Sequence, residues 1–135
     1  ASFEDIDGPG GIDGKTTHPT LTANATYDVQ IEFLNESVVP TDDITLEVEE
    51  EGDDHQVFYV FSSSLNVSLT YNDQDLNNLP IGLKCIFSVG DAGSGTMNAI
   101  LVHLPNKSNS GVSEGDITNA GGDEDINISF DVTIQ

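Results

Sequence analysis

The sequence predicts an all-β fold, an antiparallel immunoglobulin-like β-sandwich of about seven strands, in a single domain covering residues 1–135. Three observations predict it: apolar and polar residues alternate in most apolar segments, no window shows helical spacing over three turns, and turn-forming residues separate the segments. The length of 135 residues fits one domain, and the single cysteine allows no internal disulfide.

Each strand is predicted from its own run of residues. The C-terminal run is the clearest, because apolar side chains alternate with polar ones throughout residues 126–134. Residues 57–61 are apolar without interruption, which predicts a central strand buried on both faces. The remaining predicted strands are 27–33, 44–48 with Ile44, Leu46 and Val48 facing the core, 67–71, 83–89 and 97–104. Residues 2–3 are interpreted as the stub of a truncated N-terminal strand, and 106–125 as a surface loop rich in Gly, Ser, Asn and Asp.

The charge balance excludes several classes of function. Three lysines stand against 24 acidic residues, for a formal net charge of −21. A nucleic-acid surface needs clustered basic residues, and an anionic membrane surface would repel this chain. No apolar run approaches the roughly 18 residues of a spanning helix. We therefore expect no nucleic-acid partner and no direct membrane insertion, apart from a lipid anchor lost from the N-terminal side.

Two acidic loops are candidate calcium sites, because hard cations take several oxygen ligands at once. In the first loop, Asp5, Asp7 and Asp13 match ligand positions of an EF-hand loop, with glycines between them that permit tight turns. The second loop matches the first three ligand positions with Asp73, Asp75 and Asn77. Neither loop has the closing glutamate, and strands flank both. The alternative is a polar turn held by Asx hydrogen bonds.

An alternative metal site involves the acidic run of residues 47–54. Histidine with carboxylates suits Zn²⁺ or Cu²⁺, so Glu49, His55 and His103 are the candidate ligands if both histidines share one sheet edge. The spacing matches no metal-binding motif, and a solvated acidic face is the competing interpretation.

Catalytic signatures are absent from the sequence. It has no nucleophile elbow, no H-E-x-x-H motif, no phosphate loop and no dinucleotide fingerprint. Cys85 lies in an apolar run and is interpreted as a buried small hydrophobe rather than a reactive thiol. We therefore expect no enzymatic activity.

Several segments resemble small lipoprotein-like envelope proteins of Bacteroidota, especially flavobacteria. They are residues 2–8, 21–27, 33–36, 48–56, 70–75, 103–107, 115–122 and the closing strand to Gln135. The resemblance implies a lipid-tethered β-sandwich at the cell envelope, on the outer membrane surface or outside the cell. It implies no particular activity. This chain departs from the group at Pro9 and Asn78, and both departures weigh against a bound cation.

Three classes of function follow from these observations. The favoured one is a non-enzymatic cell-envelope or cell-surface domain, an accessory or assembly subunit that binds a protein or a glycan. A variant is a filament subunit whose open sheet edge accepts a strand from a neighbour. The alternatives are a metal- or ligand-capture lipoprotein and an enzyme.

Overall fold

The computed structural model describes residues 1–5 and 14–135, and most of its ordered elements are strands. In chain order these strands are β1 (Ser2–Glu4), β2 (Lys15–Thr17), β3 (Thr20–Leu21), β4 (Thr26–Gln30), β5 (Leu34–Asn35), β6 (Asp42–Asp43), β7 (His55–Phe61), β8 (Val67–Tyr71), β9 (Lys84–Val89), β10 (Gly93–His103) and β11 (Asp123–Ile134). One α-helix, α1 (Ile44–Glu50), and the 3₁₀ turns Gly52–Asp54, Val112–Glu114 and Ile117–Asn119 complete the description.

Two sheets face each other across one apolar core. The larger sheet has the order β3-β11-β10-β7, the smaller one the order β4-β9-β8, and β1-β2 and β5-β6 form separate two-stranded ribbons. All neighbours are antiparallel except β3, which runs parallel to the end of β11. The predicted all-β, sandwich-like character is confirmed. A short strand, β1, lies at the predicted N-terminal stub, and the short strands β2, β3, β5 and β6 are additions.

The core between the sheets consists of the inward side chains that the period-two pattern predicts. Phe87 on β9 meets the rings of Tyr59 and Phe61 on β7 edge-to-face, with centroids 5.3 and 5.2 Å apart. Such aromatic pairs add to the stability gained from burial alone. Cys85 is 1 % exposed in the same cluster, and the neighbouring Lys84 points to solvent, as alternation predicts.

A second, smaller core covers the outer face of the larger sheet. Phe58 and Ile100 on that face pack against Val112 and Ala120 from the segment between β10 and β11. The prediction of a central strand buried on both faces over residues 57–61 is therefore right only for Val57, Phe58 and Tyr59. Val60 is 39 % exposed, and among the described strands β7 is terminal in its sheet. The prediction of a plain surface loop over 106–125 is wrong, because this segment buries apolar side chains and β11 already begins at Asp123.

The predicted strand over residues 44–48 is also wrong, because the chain forms α1 there. Asp43 caps the helix by accepting a hydrogen bond from the backbone N–H of Thr45 at 3.0 Å. Val48 is buried and Ile44 half-buried, whereas Leu46, expected in the core, is 57 % exposed. Positions 44 and 48 are four apart and lie on one helical face, while Leu46 lies on the other.

None of the helices in the part of the chain that the structure describes is long and apolar enough to cross a membrane.

Candidate functional site

The first acidic loop lies mostly outside the described residues. Asp7 and Asp13 lie outside the described residues, whereas Asp5 follows β1 and is exposed. Calcium at this loop stays a prediction.

The second acidic loop is held by hydrogen bonds to the backbone. Asp73 accepts the N–H groups of Gly82 and Leu83, both at 2.8 Å, and that of Lys84 at 3.0 Å. Asp73 thereby fixes the chain where it enters β9, and Gly82 adopts a positive φ of 91° there, which glycine tolerates best. This side chain positions backbone rather than facing an open site.

Asp75 closes the same loop and also forms a buried ion pair. One carboxylate oxygen accepts the N–H groups of Asn77 at 2.8 Å and Leu79 at 3.0 Å, and the other accepts Lys107 Nζ at 2.8 Å. The bond from Asn77 is the Asx turn that the sequence offered as the alternative to a metal. Burial alone would raise the pKa of Asp75, but the hydrogen bonds from Lys107, Leu79 and Asn77 and the charge of Lys107 hold that pKa below its ordinary value.

Lys107 supplies the cation at this loop. Its side chain is 4 % exposed, and its ammonium also donates to the carbonyls of Gly52 at 2.7 Å and Pro80 at 2.8 Å. All three N–H donors of the ammonium are therefore used. A calcium ion bound by Asp73, Asp75 and Asn77 would have to displace this ammonium or the backbone donors, so the geometry favours a structural role for the loop.

The two histidines of the alternative metal site do lie together. His55 begins β7 and is the cross-strand partner of His103, the last residue of β10, and their rings stack with centroids 4.9 Å apart. His55 Nδ1 lies 3.0 Å from the carbonyl oxygen of Glu51. Glu49 lies on the exposed side of α1. Within residues 1–5 and 14–135, no group of three or more His, Cys, Asp or Glu side chains is arranged to hold a metal ion.

Cys85 has no sign of reactivity. Burial raises the pKa of its thiol to about 11, although a hydrogen bond with Tyr59 acts in the opposite direction. The thiol is therefore protonated at neutral pH, as expected for a core side chain.

A feature that the sequence did not reveal is a groove along one side of the sandwich. It has a volume of about 860 Å³ and runs between β11 and the residues that follow β4. Ile31 and Phe33 line one wall, and Ile126, Ile128 and Phe130 line the other. Residues 1–5 and Leu34 also line the groove, and Leu34 is 49 % exposed. This volume is in the range of ligand-binding clefts.

The β11 wall of the groove is a strand edge that is only partly paired within the described residues. Asp131, Thr133 and Gln135 direct their N–H groups to this edge, where His18 Nδ1, the Pro19 carbonyl and the Leu21 carbonyl accept them at 2.9, 3.2 and 2.9 Å. Backbone groups alternate along a strand, so Asn127 and Ser129 direct theirs to the same edge. Among the described residues, the strand beside this edge is β3, and it pairs only with Thr133 and Ile134.

The other wall of the groove is also an edge. In the smaller sheet β4 is terminal and pairs with β9 alone among the strands that the structure describes. On this side of the sandwich no described strand pairs with β4 or with residues 126–130 of β11, and the inward side chains Ile31, Ile126 and Ile128 are only half-buried. The alternating pattern predicts their inward direction but carries no information about a missing neighbour.

Acidic side chains surround the groove. Exposed Glu4, Glu32, Glu36 and Asp125 all line it. In the described part of the chain the ion pairs are His18–Asp131 and Lys107–Asp75, so none of these four carboxylates is in an ion pair there. The rim therefore presents four carboxylates that form no ion pair within the described residues, around an apolar floor.

Comparison with protein-family models found no match, and searches of curated proteins and of solved structures found no significant match either.

Proposed function

We propose that the protein is a non-enzymatic binding domain of the cell envelope or cell surface, an accessory or assembly subunit that holds a protein partner by β-strand addition. The observation that carries this proposal is the part of the β11 edge, at Asn127 and Ser129, that pairs with no described strand and lies beside the apolar groove. An unpaired edge offers a row of N–H and C=O groups that another extended backbone can satisfy. A glycan has no such backbone, which favours a protein over a glycan as the partner.

The order of the strands supports an immunoglobulin-like arrangement as part of the same proposal. The smaller sheet, β4-β9-β8, corresponds to the order B-E-D, and β11-β10-β7 corresponds to G-F-C. In that fold the first strand lies beside strand B, which is β4 here. The groove occupies the side of the sandwich on which such a strand would lie. The resemblance to envelope lipoproteins supports the location of the protein.

The test is binding of a short extended peptide in which Val and Ile alternate with Thr. We expect it to bind and to slow hydrogen exchange at the amides of Asn127 and Ser129, measured by NMR. The same peptide with N-methyl groups on its pairing edge is the matched control, because it keeps the side chains but cannot extend a sheet. Equal binding of both peptides, or no binding of either, would refute strand addition.

A protein variant provides an independent check. Ser129→Pro removes an N–H group that points to the open edge and leaves the pairing with β10 intact, a position at which proline is tolerated. Peptide binding should be lost while the circular dichroism spectrum is retained.

Metal capture at the histidine pair is the second candidate function, because His55 and His103 are cross-strand partners with stacked rings at one end of the larger sheet. Calorimetric titration with Zn²⁺ and with Cu²⁺ tests it. Binding that disappears in His103→Ala would support metal capture, and no heat above the dilution control would exclude it.

A further inference from the structure

We infer that the strand accepted at β11 is cationic, with apolar residues alternating with Lys or Arg. This inference rests on the proposed strand addition and specifies the chemistry of the partner. A strand placed beside β11 has side chains of two kinds, because successive residues point to opposite faces of a sheet. One set enters the groove, and the other set lies on the outer face of the larger sheet or at the rim.

The inward set must be apolar. It would lie between Ile31 and Phe33 on one wall and Ile126, Ile128 and Phe130 on the other, all of which line the groove. These walls have no charged side chain on the inward positions of β11, where Ile126, Ile128, Phe130, Val132 and Ile134 alternate with polar residues. A buried lysine or glutamate at these positions would lose its hydration without gaining an ion partner.

The outward set meets negative charge. Asp125, at the bulge of β11, lines one side of the groove, and Glu32 and Glu36 line the other. Opposite charges on neighbouring strands attract, whereas like charges placed there are destabilising. The charge pattern of the rim therefore selects Lys or Arg in the outward positions and rejects Asp or Glu.

The same charges argue against a second copy of this chain as the occupant. The chain has a net charge of −21 and three lysines, and one of these, Lys107, is buried in an ion pair. A strand taken from another copy would bring acidic residues to an acidic rim. Charge complementarity therefore favours a cationic partner over a filament in which copies of this chain exchange strands.

The experiment compares three peptides that share the alternating Val and Ile positions and carry Thr, Lys or Glu between them. We expect the Lys peptide to bind roughly tenfold tighter than the Thr peptide at low ionic strength, from a few cross-strand charge pairs, and the Glu peptide to bind more weakly than either. Fluorescence anisotropy gives the affinities. A Lys peptide with the same composition but no alternation should not bind at the groove.

Two double variants of the protein distinguish attraction of the Lys peptide to the groove carboxylates from attraction to the net charge of the whole protein. Asp125→Asn with Glu32→Gln should remove most of the advantage of the Lys peptide over the Thr peptide. Asp91→Asn with Glu114→Gln removes the same charge from exposed positions outside the groove and should leave that advantage nearly unchanged. Equal losses in both variants would overturn the inference, because they would indicate attraction to net charge alone.

The outcomes also distinguish this inference from the function on which it rests. If the Thr peptide binds and the Lys peptide binds no better, strand addition stands and the cationic partner is refuted. If no alternating peptide binds, both the strand addition and the cationic partner are refuted. A dimer in sedimentation experiments that Ser129→Pro abolishes would overturn the inference in favour of a second copy of the chain.

Discussion

Replacing Lys107 with methionine should destabilise the protein more than any other single exchange of a lysine. Methionine keeps an unbranched stem of similar length but donates no hydrogen bonds. The carbonyls of Gly52 and Pro80 would lose their donor, and the carboxylate of Asp75, only 1 % exposed, would lose its counter-ion. Removing one partner of a buried ion pair costs about 3–5 kcal/mol. Small domains have a free energy of unfolding of about 5–15 kcal/mol, so the loss would be a large fraction of the total.

Urea unfolding followed by circular dichroism measures this loss. Lys84→Met is the matched control, because Lys84 is exposed and its replacement should change the free energy of unfolding by less than about 0.5 kcal/mol. Adding Asp75→Asn to Lys107→Met should recover part of the loss, since the double variant no longer buries an unpaired charge. A loss below about 1 kcal/mol for Lys107→Met would refute the reasoning, because a buried pair that is broken cannot cost so little.

The loss of stability caused by Lys107→Met should also depend on pH. The pKa of Asp75 in the folded protein lies below its ordinary value, so its stabilising contribution is complete above the unfolded pKa of about 3.9 and disappears as pH falls through the folded pKa. In Lys107→Met the pKa of Asp75 should rise. The difference in unfolding free energy between wild type and variant should therefore narrow below about pH 4.

Four further predictions test other parts of the structure. Asp73→Ala should lower the free energy of unfolding by about 3 kcal/mol in urea, because three backbone N–H groups lose an ionised acceptor, and a loss under about 1 kcal/mol would contradict that role. Cys85 should not react with a thiol reagent at pH 8 unless urea is added, since burial raises the pKa of its thiol to about 11, and rapid reaction of the native protein would show that it is accessible. The melting temperature should rise between low and physiological salt, because screening over a Debye length of roughly 8 Å relieves the repulsion among negative charges, and a flat profile would indicate that bound cations already balance them. If the loop of Asp5, Asp7 and Asp13 binds calcium, Ca²⁺ at a hundredfold excess over Kd should stabilise the protein by about 2.7 kcal/mol, and equal melting temperatures with EDTA, with Ca²⁺ and in Asp7→Ala would exclude that site.

Six of the seven strand segments predicted from the sequence are strands in the structure, and the failure at residues 44–48 has a specific cause. Ile44 and Val48 are compatible with a strand period of two and also lie four apart on one helical face. Leu46 alone distinguishes the two patterns, and it is exposed on α1. Asp43 before this run is a helix cap, which is the signal that would have identified the helix.

The candidate sites were harder to predict because they depend on neighbours distant in sequence. Lys107 lies in a polar segment with no apolar periodicity, and its partner Asp75 is 32 residues away. The groove depends on the length of β3, which pairs with only the end of β11. The sequence did suggest that His55 and His103 could lie together, and the register of β7 and β10 makes them cross-strand partners.

Because the segment between β10 and β11 forms a second core, the free energy of local unfolding should differ between parts of the domain. Phe58 and Ile100 are covered on the outer face of the larger sheet by Val112 and Ala120, while the inner face of that sheet packs against β9. Amide protons of β10, which pairs with a strand on each side, should therefore exchange only when the whole chain unfolds. The uncovered edge of β11 can separate from its surroundings at a smaller cost. A partner that binds at this edge would contact a part of the domain that opens locally, while the strand between the two cores keeps its structure.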